Sequence, residues 1–133
     1  MRRQGVSHVS ELRPFMQAGT PDVEFVPELL PGPGEVVLEK SSPSFFIGTP
    51  LEVRLRAKGV ESVILVGVAT EQGIEFTARH ALALGYFTVI AEDAVGSFTP
   101  EGHEIGLAYL RTAALVVSTE DILRAWSMQV SHR

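Results

Sequence analysis

The chain reads as an α/β protein, three layers deep, with helices on both faces of an open, mainly parallel sheet. Three observations lead there. Short apolar runs at Val63–Val66, Phe87–Ala91 and Ala114–Val117 alternate with stretches of helical periodicity, and that alternation makes βαβ units with right-handed crossovers. The clearest run, Val63-Ile64-Leu65-Val66, has no polar alternation, which suits a parallel strand buried on both faces. With 133 residues, 45% apolar and 20% charged, the chain has the size and composition of a single domain with a proper core. It is read as one domain over 1–133, with an irregular segment at 1–33 and a βαβ core at 34–126.

Element by element, the first segment is punctuated by Gly19-Thr20-Pro21 and Pro31-Gly32-Pro33-Gly34, which are turn signals. Gly5–Val9 has the character of a strand end, and Val23, Phe25, Val26, Leu29 and Leu30 suggest short turns packed on the domain. Val36-Val37-Leu38 predicts a short buried strand over Glu35–Glu39, ending at Lys40. Pro50–Lys58 carries Leu51, Val53 and Leu55, with a proline in the first turn and Gly59 as the stop, so it predicts a helix. Ser62–Gly67 is the strand already described. Thr70 opens the next helix as its N-cap. Ile74, Ala78, Ala81 and Leu82 form its apolar stripe and Gly85 ends it.

Phe87–Ala91 predicts a strand, with Glu92-Asp93 capping the turn behind it. Thr99-Pro100-Glu101 combines an N-cap, a first-turn proline and an acidic residue. The helix that follows carries Ile105, Leu107, Ala108 and Leu110, with His103 on its exposed side, as His80 is on the preceding helix. Ala114–Val117 is the last strand. Ser118-Thr119-Glu120-Asp121 then caps a helix bearing Ile122, Leu123 and Trp126.

Composition narrows the function. A net charge of −5 with scattered basic residues disfavours nucleic acid, whose phosphates need clustered Lys and Arg. No run is long enough to span a membrane and no apolar stretch follows Met1-Arg2-Arg3, so the expectation is a cytoplasmic protein without signal peptide. There is no cysteine, which excludes disulfides, thiolate metal sites and a cysteine nucleophile. No His, Asp and Glu stand at ligand spacing, so neither metal nor cofactor is implied. Ligands of open parallel sheets sit at the carboxyl ends of the strands. The loops of interest therefore follow Glu39, Gly67, Ala91 and Val117. Lys40 is a cation at that edge, the turn 67–73 offers outward-facing helix amides, and Ser41, Ser42 and Ser44 lie near Lys40 without an evident base.

Taken together, Lys40–Leu51, Leu55-Arg56, Gly59-Val60, Val63–Thr70, Thr77–Ala81, Gly85-Tyr86 and Glu92–Val95 closely resemble the isochorismatase-like cysteine hydrolases, the family of isochorismatases, nicotinamidases and N-carbamoyl amidohydrolases. The resemblance runs from Gly19 to Trp126, roughly four-fifths of the chain. It implies the family's Rossmann-like sheet and a chemistry built on an Asp, a Lys and a Cys. The Cys attacks a carbonyl-type carbon, the Asp moves protons, and helix-start amides hold the oxyanion. By position, Lys40 matches the family lysine. Val68-Ala69 matches a peptide bond that is often cis and helps form the oxyanion hole. Phe46, Val68, Ala69 and Thr70 are the implied binding positions. The nucleophile's position is Gly73, and the opening strand that bears the Asp has no counterpart; Asp22 does not replace it. His8 matches a metal or substrate position of some relatives but reads as a surface histidine.

With two of three catalytic groups missing, the resemblance implies the fold and not the activity. Lys40 is then vestigial, with weak binding of a small anion or carboxylate between it and the helix start. Two other readings stand beside this one: a hydrolase of altered mechanism or completed by another chain, acting on amide, carbamoyl or vinyl-ether compounds, and a truncated gene product. The missing opening strand belongs in the interior of the family's sheet. Its absence exposes ladder groups and predicts a homo-oligomer, at least a dimer, with Phe45, Phe46 and Trp126 as packing or subunit contacts.

Overall fold

The computed structural model describes residues 8–11 and 16–130. The chain separates into two compact units, Met1–Val37 and Leu38–Arg133. Among its described residues the first unit holds only single 3-10 turns, at Val9–Glu11, Pro21–Val23 and Pro27–Leu29. The prolines that open the last two suit the φ of a first turn, and neither turn continues into a helix. The strand end expected over Gly5–Val9 is not seen: Val9 sits in a turn, and residues 5–7 lie outside the described residues. Phe25, Val26, Leu29 and Leu30 are exposed rather than packed.

The second unit carries the regular structure. No strand forms over Glu35–Glu39, and Val36 and Val37 are about half exposed. An apolar triplet needs a partner to complete its ladder, and among the described residues none pairs with it. α1 spans Leu51–Ala57 and closes at Gly59, whose φ of +65° belongs to the left-handed region that glycine tolerates. β1 is Ser62–Val68, α2 is Glu75–Ala83, β2 is Phe87–Gly96, α3 is Pro100–Ala113, β3 is Leu115–Val117 and α4 is Thr119–Val130. The three strands form one parallel sheet in the order β1-β2-β3.

Register shows how the layers assemble. Leu65, Ile90 and Val116 are paired across the sheet and so share one face. That face packs against α2 and α3 in a core of Ile74, Ala78, Ile90, Val95, Leu107 and Leu110, with Ile90 and Leu110 fully enclosed. Ile64, Val66 and Ala91 point to the opposite face, where Ile122 and Leu123 of α4 lie over them. The α/β sandwich with helices on both faces is therefore formed. On α3 the inward residues are Leu107 and Leu110; Ile105 and Ala108 are exposed, because a helix seated on one sheet face buries only one stripe.

β1 departs from expectation. It is an edge strand, and Ile64, Val66 and Val68 are 38%, 57% and 75% exposed. Its continuous apolar run is buried on neither face completely, because among the described residues no strand flanks its outer edge and α4 covers only part of its face.

β2 runs past the expected end. Leu65 pairs with Ile90 and Gly67 with Val95, so β2 bulges through Ala91–Ala94. Bulges re-aim side chains, and here Glu92 and Asp93 are turned outward to bind other elements rather than to cap the next turn. Glu92 pairs with Arg111 of α3 at 3.1 Å. Asp93 takes the Thr119 amide at 2.8 Å and its hydroxyl at 2.6 Å, closing the entry to α4. Ser118 completes that entry by accepting from the Asp121 amide at 3.1 Å.

The Thr119 hydroxyl and amide hold the Asp93 carboxyl below its ordinary value of 3.8. A depressed folded-state pKa stabilises the fold above the unfolded value and ceases to do so as pH falls through the folded one. Asp93→Asn should therefore cost most stability above about pH 4, with the gap to wild type narrowing as pH drops below 3.8. Urea midpoints measured across acid pH read this directly; a gap that does not change with pH would contradict it.

Candidate functional site

The turn between β1 and α2 lies at the carboxyl edge of the sheet. The Val68–Ala69 peptide is cis. Behind it, Thr70–Ile74 winds as a single π-helical turn before α2 begins at Glu75. The carbonyl of Ala69 accepts from both Gln72 N and Ile74 N, each at 3.1 Å. Thr70 does not act as an N-cap: the capping position is Ala69, and no side chain caps it. The Thr70 hydroxyl, fully buried, instead meets His103 Nδ1 of α3 at 2.9 Å. His103 is thus half-buried and bonded, not displayed on the helix surface.

α3 approaches this turn at backbone distance. A Cβ on Gly106 would lie 2.9 Å from Glu71 N and 3.0 Å from Glu71 Cα. A Cβ on Gly102 would lie 3.1 Å from the Glu71 carboxyl carbon. Two glycines one helical turn apart leave the groove into which the turn fits. The Glu71 side chain is consequently directed at the first turn of α3, not at solvent, and its Oε2 is buried with no hydrogen-bond partner. The positive end of the α3 dipole faces it there.

Gly73 sits within the π turn. A Cβ there would stand 3.3 Å from the Val68 carbonyl oxygen, a tight contact that a side chain could make only if that carbonyl gave by a few tenths of an ångström. The Gly73 carbonyl accepts from the Thr77 hydroxyl at 2.6 Å, and Thr77 Oγ1 in turn accepts from Phe45 N at 3.2 Å. This links the segment after Lys40 to the helix.

Lys40 is exposed. Its Nζ donates to the Ser42 carbonyl at 3.0 Å and lies 5.0 Å from the centre of the Phe45 ring. Those contacts are local. Phe46 packs between His80, at 5.2 Å, and Tyr86, at 5.9 Å between ring centres. Ser44 is buried and bonded to His80 Nδ1 at 3.1 Å, so His80 too is a packed residue rather than an exposed one. Of the sequence-predicted positions, Val68, Ala69, Thr70 and Gly73 come together at the βα turn, while Lys40 and Phe46 occupy the neighbouring segment. His8 is exposed, in the other unit. Among the described residues no three His, Asp or Glu side chains stand close enough to hold a metal ion.

The two hydroxyl–imidazole pairs, Thr70–His103 and Ser44–His80, have the composition of a nucleophile and its base. A nucleophile must reach its substrate, however, and these hydroxyls are 0% and 2% exposed. They fasten elements to one another. Sequence reading missed both, along with the Glu71 placement. One signal was available: Gly102 and Gly106 bracket His103 at helical spacing, which marks a close-packed face.

The parallel sheet with helices on both faces, and the β1–α2 turn with its cis peptide at the carboxyl edge, define a layered α/β protein. The chain belongs to the isochorismatase family, whose isochorismatase domain matches residues 1–121. It is 39% identical over 87 residues to the uncharacterized isochorismatase family protein YwoC of Bacillus subtilis, covering 65% of this chain and 46% of that protein. An isochorismatase-like hydrolase from Alkaliphilus metalliredigens superposes with a TM-score of 0.79 at 35% identity, over 81% of this chain and 59% of its own. The nicotinamidase/pyrazinamidase PncA of Bacillus subtilis matches with a TM-score of 0.59 at 37% identity, over 61% of this chain and 45% of its own. The chain thus spans about half the length of the curated relative it matches.

The close approach of α3 generates a prediction. Gly106→Ala adds a methyl that backbone atoms at 2.9–3.0 Å cannot yield to. Overpacking of this kind costs about 1–3 kcal/mol, against roughly 1 kcal/mol gained from the better helix former. The variant should be less stable than wild type by chemical denaturation, whereas a stabilised variant would mean that α3 is free to move off the turn.

Proposed function

We propose that this isochorismatase-family chain does not perform the cysteine-dependent hydrolysis of its family. One observation carries the reading: Gly73 occupies the helix-entry position at which the family resemblance expects the nucleophile, in a chain with no cysteine. No other side chain at the turn replaces it. Thr70 is enclosed, and the Glu71 carboxylate is taken up against α3. The oxyanion-type donors are reduced as well, because Gln72 N and Ile74 N are spent on the Ala69 carbonyl.

What remains is a weak anion site. Lys40 supplies a charge that reaches solvent and the turn supplies helix-start dipoles, but the nearby Glu71 carboxylate opposes them. Contacts of this kind contribute on the order of 1 kcal/mol each, so a small carboxylate would bind at millimolar concentration or weaker.

The test is turnover of small amides, carbamoyl compounds and isochorismate by wild type and Gly73→Cys. Neither protein should exceed background. The added Cβ asks the Val68 carbonyl, 3.3 Å away, to give by a few tenths of an ångström, and the thiol would still lack a general base. Wild-type turnover would overturn the proposal. Near-normal turnover by the variant alone would show that another carboxylate serves as base.

A further inference from the structure

We propose that His80 is a pH-sensitive latch, closed while its imidazole is neutral, that holds the Lys40-bearing segment against α2. Residues 38–50 have no helix or strand of their own, so side-chain contacts must fix their course. Ser44 is the fixed point. It is 2% exposed, its hydroxyl meets His80 Nδ1 at 3.1 Å, and Phe46 N donates to the same oxygen at 3.2 Å. Beside it, Phe45 N donates to Thr77 Oγ1 and the Phe46 ring packs on His80 and Tyr86.

Counting protons decides which state of the imidazole this arrangement takes. A hydroxyl has one proton to give. Ser44 Oγ already accepts from Phe46 N, and among the described residues its one acceptor is His80 Nδ1. The proton therefore lies on Oγ and points at Nδ1, which must be a bare lone pair, with the ring's own proton on Nε2. Imidazolium carries a proton on both nitrogens. Once it forms, Nδ1–H can donate to Oγ only if the hydroxyl turns away, and the buried Ser44 proton is then left without an acceptor. Imidazole is the side chain that makes this change between pH 5 and 8.

The surroundings do not restore the balance. Arg56 of α1 lies over the Tyr86 ring at 4.5 Å, with Glu52 3.7 Å from it, and Lys40 lies over Phe45. On α2 itself Arg79 is tied to Glu75 and lies 3.2 Å from the centre of the Tyr109 ring of α3. Among the described residues no carboxylate pairs with His80, so the added charge gains no anionic partner. The Phe46 ring, tilted 41° at 5.2 Å, favours the cation but cannot take the hydroxyl proton. Acid therefore releases Ser44 and the chain around it while α2 and the sheet stay in place. Phe45 N is bound to Thr77, whose hydroxyl holds the Gly73 carbonyl, so release frees the Lys40 side of the β1–α2 turn. The latch stands whether or not that turn binds an anion.

Amide exchange of the full chain, corrected for the intrinsic effect of pH, tests this. The amides of Phe45, Phe46 and Ile47 are hydrogen-bonded at 3.2, 3.2 and 3.3 Å. Their protection should fall about five- to tenfold between pH 8 and pH 5, the worth of one hydrogen bond. The amides of β2 should keep theirs. His80→Asn sets a carbonyl oxygen near the place of Nδ1, an acceptor that takes no proton in this range, so protection at 45–47 should no longer depend on pH. Nitrogen NMR of the wild-type ring should find its proton on Nε2 at pH 8. The two wild-type measurements decide the matter if His80→Asn fails to fold. A proton on Nδ1 at pH 8 overturns the latch, as does protection at 45–47 that ignores pH. An equal loss in β2, or the same pH dependence in His80→Asn, overturns it too.

Discussion

Everything at the carboxyl edge of the sheet depends on how closely α3 sits on the turn that leaves β1. Gly106 admits the Thr70–Glu71 backbone to a distance that no other residue allows, and Gly102 admits the Glu71 side chain. With that contact made, Thr70 is enclosed and its hydroxyl has one partner in reach, His103. A buried hydroxyl without a partner is costly, so the pair is a condition of the packing. The same contact aims the Glu71 carboxylate at the first turn of α3, away from the open edge. The chemistry available at the turn is thus decided by a helix some thirty residues further along the chain.

The second tie is carried by Thr77. Its hydroxyl donates to the Gly73 carbonyl and accepts from the Phe45 amide, so the π turn and the segment after Lys40 are held through one side chain. Ser44 with His80, and Phe46 between His80 and Tyr86, repeat the tie one helical turn on. These polar contacts give the site region its order. They also use up the hydroxyls and imidazoles from which an alternative nucleophile would have to be assembled. The βα turn, with its cis Val68–Ala69 peptide, is thus held in order in a member of the isochorismatase family whose sequence contains no cysteine.

The opposite face of the sheet is only partly covered by α4. α4 is anchored at its entry by Asp93 and Ser118, yet its outer side chains Leu123 and Trp126 stay more than half exposed. The helix lies over a sheet edge that, among the described residues, has no further strand beside it. Apolar side chains that the hydrophobic effect would bury are left at the boundary.

The sequence by itself determined the elements and their order. Helix starts and stops at Pro50, Gly59, Gly85 and Thr99, the apolar stripe Ile74-Ala78-Ala81 and the strand at 62–68 are local signals, written in φ restrictions, capping groups and periodicity. It also determined the family resemblance and the absence of cysteine, since both are matters of residue identity. Only the tertiary structure decided what those elements meet. Val36-Val37-Leu38 has the composition of a strand but finds no ladder partner among the described residues. Val63–Val66 has the composition of an interior strand but stands at an edge. Thr70 resembles an N-cap and is recruited by a histidine from another helix. In each case the local pattern states which surfaces are apolar or polar, and the partner that satisfies them comes from elsewhere in the chain, at a distance that no sequence window records.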